Sequence, residues 1–220
     1  MRPREQHGRL IIVGAGGHAI EVAHVARLCG WNDIIHAVTT PPSEPPPHGR
    51  PVAVRLLDLH WGPDDRTVIA IGEGAARSSI ARGPLRDRPL AEPIIHPSAV
   101  IDGEPSIGAG SVILALAYIS SSAVLREHVH VNVGASVSHE SVLDDFATIG
   151  PGARISGNVH IGRSATLGVG SSIINGAPDE PLTIGANAVI AGGACVIRDV
   201  APDTMVAGVP ASPKPKRESS

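Results

Sequence analysis

The feature that most limits what this chain can fold into is a period of six. Stepping by six from Ile95, the sequence places an aliphatic residue at Ile95, Ile101, Ile107, Ile113, Ile119, Leu125, Val131, Val137, Leu143, Ile149, Ile155, Ile161, Leu167 and Ile173. Four residues after each stands Ala, Ser or Val, Pro105 excepted, and glycine recurs just after the aliphatic, as at Gly108, Gly150 and Gly162. A helix repeats every 3.6 residues and a half-buried strand every two, so neither produces this pattern. The register breaks at NGAPDEPLT, with five extra residues that read as a loop, and resumes at Ile184, Ile190 and Val196.

A hexapeptide period predicts a parallel β-helix, each short strand filling one face of a prism with its aliphatic and small positions pointing inward. Three faces make a coil of 18 residues, so positions 18 apart stack on adjacent coils, about 4.8 Å from one another. Aromatic residues make up only 2% of the chain, which suits a thin interior filled by Ile, Val and Ala.

The repeat claims only the second half of 220 residues, leaving room for a first domain. RLIIV followed by GAGGHAIEVAHVARLCG predicts a strand over residues 10–13, a glycine turn and an amphipathic helix from His18 to Cys29. Further strands are expected over 34–38 and 67–72, and a helix over 74–85, which together imply a small parallel sheet flanked by helices. Proline density makes TTPPSEPPPHGRP, residues 39–51, an exposed loop.

Gly14, Gly16 and Gly17 at a strand-to-helix turn let the backbone approach a phosphate whose charge the helix N-terminus favours. A dinucleotide site would also want an acidic residue at the end of the second strand, where this chain has Val38 and Thr39; Asp33 stands at the other end. That argues against NAD and leaves two readings, a nucleotide-sugar phosphate site or a purely structural turn. His18 either contacts the nucleotide or begins the helix.

A formal net charge of −3 with no basic run argues against nucleic acid as the main partner. The apolar run at the N-terminus stops at glycines, too short for a signal peptide, and no stretch approaches the roughly 20 apolar residues of a membrane span. Cys29 and Cys195 form no CxxC and no disulfide framework, which fits a reducing cytoplasm.

Within the ladder, GASVSHESVLDD sets His139 and Glu140 two and three residues after the inward Val137, so both point away from the interior. Eighteen residues beyond His139 is Gly157, whose backbone N–H could serve a developing oxyanion beside an imidazole base. Glu140, Asp144 and Asp145 are all candidates to orient that imidazole. None of His96, His128, His130, His139 and His160 are 18 or 36 apart, which disfavours a metal cage within one subunit.

Taken together, GAGGH near the start, IIHPSAVI at the junction, SHES and ISGNVHIG in the coils and RDVAPDTMVAGVPA at the end resemble the bacterial sugar O-acyltransferases of the sialic acid O-acetyltransferase type. These include the N-acetyltransferases acting on nucleotide-linked 4-amino sugars. The resemblance covers about residues 9–211 and implies a left-handed β-helix, a homotrimer with interfacial active sites, and acetyl-CoA as co-substrate with no metal. It implies His139 as catalytic base, Glu140 as its orienting acid and Gly157 as the oxyanion donor. It further implies a substrate pocket at Gly14, Gly16, Gly17, His18, Gly72 and Arg77, and a donor groove near Val169, Ala188 and Gly192. The chain departs from the pattern at Thr39-Thr40, where many members carry acidic residues, and at Thr148, where some amino-sugar enzymes have a second histidine.

The expected architecture is therefore an α/β Rossmann-like domain over residues 1–90, a left-handed parallel β-helix over 91–211 and a disordered tail over 212–220. The expected activity is acetyl transfer to the 4-amino group of a nucleotide-linked amino sugar in the cytoplasm. Its rivals are O-acetylation of a sugar with the same dyad, and a non-catalytic trimeric protein that binds a nucleotide sugar.

Overall fold

A computed structural model describes residues 8–40 and 51–215; most of the expected proline-rich loop lies outside the described residues. The first strand β1, Arg9–Val13, leads through the glycine turn into helix α1, Gly17–Leu28, which ends one residue before the expected Cys29. Strand β2, Asp33–Val38, follows, and then a two-residue strand β3, Val54–Arg55, that the sequence pattern does not announce. Strand β4 spans only Arg66–Ile69, because residues 70–73 turn toward helix α2, Gly74–Arg82. Gly83 caps α2 and Pro84 follows, which stops the helix short of the expected residue 85.

The four strands form a parallel sheet in the order β3-β2-β1-β4. Leu10 and Ile12 on one face pack with Val22, Val25 and Ala26 of α1, and the same cluster continues into Ile94, Val112 and Leu114 of the β-helix. Helix α1 is thus sandwiched between the sheet and the second domain. Ile11, Val13 and Ile69 on the other face pack with Leu56 and Leu85.

From Ile94 onward the chain is a left-handed β-helix of three parallel faces. The first face contains His130–Val131 and Thr148–Ile149, the second Ser136–Val137 and Arg154–Ile155, and the third Val142–Leu143 and Val159–Ile161. Each strand pairs with the one 18 residues on, as Val124 with Val142 and Thr148 with Thr166. The NGAPDEPLT loop lengthens that step, so Val159 pairs with Leu182 without loss of register. The aliphatic column from Ile113 to Val206, with its alanines, is buried in one continuous core. Burial of a Leu, Ile or Val side chain stabilises by about 1.5–3 kcal/mol, which makes the period-six pattern self-enforcing.

Coils approach so closely that a Cβ at Gly168 would sit 2.6 Å from the backbone N of Gly192. Fully buried serines close the corners: Ser141 Oγ donates to Ser156 O at 2.8 Å and accepts from Val159 N at 3.3 Å. The last strand, Ser212–Lys214, runs antiparallel to Met205–Ala207. This corrects the expected disordered tail, since ordered pairing continues past residue 211; residues 216–220 lie outside the described residues.

The α/β domain sits on the first face and on the corner between the third and first faces. His18 Nε2 meets His130 Nδ1 at 3.1 Å, and a Cβ at Gly74 would collide with the carbonyl oxygen of Phe146. In a triangular prism the corner between the second and third faces lies opposite the first face. That corner carries His139.

Candidate active site

His139 follows the second-face strand Ser136–Val137 and precedes the third-face strand Val142–Leu143. Its imidazole is exposed, as is Glu140, and the Nδ1 to Oε2 distance is 3.3 Å. Glu140 adopts a left-handed backbone, φ 55°, that the corner requires, and its N–H donates to Ser122 Oγ at 3.0 Å. A non-glycine residue in that region costs about 1 kcal/mol, so the carboxylate is held by corner geometry rather than by local preference.

The other two carboxylates weighed from sequence are engaged elsewhere. Asp144 lies 3.0 Å from Arg126 Nε and 3.0 Å from His160 Nε2, and Asp145 pairs with Arg163. That leaves Glu140 as the one of the three carboxylates in contact with His139. In the tautomer that carries its proton on Nδ1, the ring donates to Glu140 and its lone pair is on Nε2.

Gly157 lies on the next coil directly against the imidazole. A Cβ there would fall 2.5 Å from His139 Nε2 and closer still to Cε1, so only glycine accommodates the ring. The glycine makes room for the imidazole itself rather than for a substrate atom. Among the described residues the Gly157 N–H has no acceptor, although its carbonyl accepts from Gly176 N at 3.1 Å. A hollow of about 600 Å³ opens beside the pair, lined by Glu140, Asp144, Asn158 and His160.

The second cavity, about 400 Å³, lies at the C-terminal ends of β1, β2 and β4. Gly14, Gly16, Gly17, His18, Val38, Thr39, Thr40, Ile71 and Gly72 line it, which brings together the expected glycines, His18 and Gly72. Gly14 has φ +140° and a Cβ there would sit 2.7 Å from Ala70 O, so the turn and the close approach both demand glycine. Burial holds His18 below the ordinary histidine range, partly offset by Glu21.

Two expected site residues are elsewhere. Arg77 is wholly buried, and its guanidinium donates to Ile71 O, Gly72 O, Phe146 O and Ala147 O and to Thr148 Oγ1. It cannot reach a ligand, because Nη1 is spent on Ile71 O and Gly72 O of its own domain and Nη2 on Phe146 O, Ala147 O and Thr148 Oγ1 across the domain junction. Burial pushes it down to about 9, and it stays charged at neutral pH. Ala188 is also wholly buried, in the prism core, so it cannot touch a donor. Val169 and Gly192 are exposed and stack at the corner between the first and second faces, away from His139.

Sequence reasoning missed His128 and His130. His128 stacks on Phe146 with ring centroids 4.9 Å apart, and burial, reinforced by the charge of Arg77, pushes it down to about 4. His130 is held well below its ordinary value by burial, then by Arg77. An outward-facing histidine in a β-helix reads as solvated, and only the docking of the first domain covers these two. Among the described residues no group of three His, Cys, Asp or Glu side chains is placed to hold a metal ion.

An α/β unit with a glycine-turn cavity, mounted on a left-handed β-helix whose corner presents a His–Glu pair against a bare glycine, has the architecture of a hexapeptide-repeat acyltransferase. Residues 9–83 match the family described as PglD N-terminal domain. The acetyltransferase domain of PglB from Neisseria gonorrhoeae, solved in complex with acetyl coenzyme A, is 30% identical over 96% of this chain and 100% of that one, with a TM-score of 0.84. PerB from Caulobacter crescentus, in complex with CoA and GDP-perosamine, is 29% identical over 95% of this chain and 98% of that one, TM-score 0.79. WeeI from Acinetobacter baumannii is 27% identical over 94% and 100%, TM-score 0.84. No curated protein matches the sequence. The chain belongs to the sugar acetyltransferase family built on the hexapeptide-repeat fold.

Proposed function

We propose that this protein transfers the acetyl group of acetyl-CoA to the 4-amino group of a nucleotide-linked amino sugar, with His139 as general base. The observation that carries this reading is the His139 imidazole, oriented by Glu140 and lying on the bare Gly157. The solved relatives support the substrates: PglB's domain holds acetyl coenzyme A, and PerB, a perosamine N-acetyltransferase, holds CoA and GDP-perosamine.

In this reaction the sugar amine attacks the thioester carbonyl carbon while Nε2 of His139 takes the amine proton. Glu140 supports the imidazolium that results. The tetrahedral intermediate places its oxyanion toward the Gly157 N–H, then collapses with cleavage of the C–S bond, and the proton passes from His139 to the departing CoA thiolate. No Cys or Ser nucleophile is involved. We place the reaction in the cytoplasm, a reducing compartment that two free cysteines without a disulfide fit; among the described residues no helix is long and apolar enough to cross a membrane.

We further propose that the active site forms between copies of the chain. The glycine-turn cavity rides on the first face, whereas His139 projects from the opposite corner of the same prism. That placement supports a site shared between copies, in which one chain supplies the acceptor cavity and a second copy the base. A cyclic homotrimer, the assembly the family resemblance implies, provides such a junction between every pair of neighbours.

The test is release of free CoA thiol with acetyl-CoA and a panel of UDP-, dTDP- and GDP-linked 4-amino sugars and their 4-hydroxy counterparts. Turnover of an amino sugar, reduced ~10²–10⁴-fold in His139→Ala, is the expected result. Turnover of hydroxyl acceptors alone would move the reading to O-acetylation. Full activity in a correctly assembled His139→Ala variant would contradict the mechanism.

A further inference from the structure

One wall of the glycine-turn cavity is fixed not by its own domain but by the β-helix. Thr148 Oγ1 donates to the Gly72 carbonyl at 2.9 Å and accepts from Arg77 Nη2 at 2.9 Å, while Arg77 Nη1 donates to the same Gly72 carbonyl at 2.9 Å and to Ile71 O at 2.8 Å. The three groups close a ring. A hydroxyl has one proton to give, so these contacts also fix its direction. Beyond the ring, Arg77 Nη2 grips the carbonyls of Phe146 and Ala147 at 2.7 and 3.1 Å.

Gly72 has its carbonyl drawn to the β-helix and its bare Cα toward open space, with nothing within 4 Å of an added Cβ. Ile71 and Gly72 both line the cavity. A displacement of this wall would strip acceptors from a fully buried guanidinium, a costly event in a region of low dielectric. The wall is therefore locked to the coil that contains residues 144–149.

We propose that Thr148 and Arg77 are positioning residues for the acceptor, setting the Ile71–Gly72 wall against which the nucleotide sugar binds; this rests on the reading of the cavity as the acceptor site. Neither residue touches substrate. Thr148 thereby gains a role at a position that the sequence marks only as a departure from the family pattern.

Thr148→Val keeps the shape and deletes the hydroxyl, and Thr148→Ser keeps the hydroxyl. The expected result is a rise of about five- to tenfold in the acceptor KM of Thr148→Val, the effect of one or so lost hydrogen bonds, with kcat and the acetyl-CoA KM unchanged and Thr148→Ser close to wild type. Calorimetric Kd values for UDP, dTDP and GDP give a second readout independent of acetyl transfer. If wild type binds one of these nucleotides and Thr148→Val weakens it, the positioning role stands even where no amino sugar is acetylated, and only the N-acetyltransferase reading fails. A Thr148→Val protein that melts earlier yet keeps wild-type acceptor KM and nucleotide Kd would overturn the proposal. So would a Thr148→Ser variant as impaired as Thr148→Val, or a wild-type protein that binds none of the nucleotides or acceptors.

Discussion

At the scale of the residue, the catalytic reading depends on how little space separates His139 from Gly157. Gly157→Ala would drive a methyl into the imidazole edge, and the ring can give way only by rotating into solvent. Because the displaced group is the far end of an exposed side chain and the backbone at Gly157 is not left-handed, the fold should survive. The expected outcome is a loss of about 10²-fold in kcat/KM, the scale of a ~1 Å misplacement of a reacting group, with the melting temperature near wild type. Steady-state kinetics beside thermal unfolding would check it; a variant with wild-type turnover would show that the ring is not held there for chemistry. The 18-residue step from His139 to Gly157 was legible in the sequence because the ladder has a fixed pitch. The burial of Arg77 was not: a lone arginine in a helix reads as exposed, and only the docked carbonyls of Phe146 and Ala147 reveal its partners.

At the scale of the elements, the interface between α1, α2 and the first face buries His128 and His130 and half-buries His18 beside Arg77, with Glu21 reaching His18 from the solvent side. In the unfolded chain each would titrate near 6.5. In the folded chain His128 stays neutral down to about 4, and His130 is lowered as well. The unfolded state therefore binds more protons throughout the interval from about 6.5 to about 4, so stability falls as the pH drops through it and is flat above it with respect to these groups. Melting temperatures recorded across that interval should decline toward acid more steeply in wild type than in His128→Asn, a replacement that tolerates the left-handed backbone at φ 58°. Equal slopes would remove His128 from the account. The ladder's strands were predictable because each inward position repeats a steric demand. β3 and the strand Ser212–Lys214 were not, since both are short, carry no periodic signal and exist only through pairing with β2 and with Met205–Ala207.

At the scale of the whole molecule, the proposed site joins the base of one copy to the acceptor cavity of another. The sequence displays both halves of this site but not their separation, which follows from the α/β domain docking on the face opposite the His139 corner. The most direct measurement is subunit complementation. His139→Ala removes the base, and Gly72→Glu projects a carboxylate into open space in the acceptor cavity without a backbone clash. Each variant alone should be nearly inactive. Dissociated, mixed in equal amounts and reassembled, they should recover about a quarter of wild-type thiol release, because random mixing within a cyclic oligomer pairs an intact base with a neighbour's intact cavity at about that frequency. Recovery to that level would place the reaction between copies, whereas a mixture as inactive as its parents, after verified subunit exchange, would contradict the shared site.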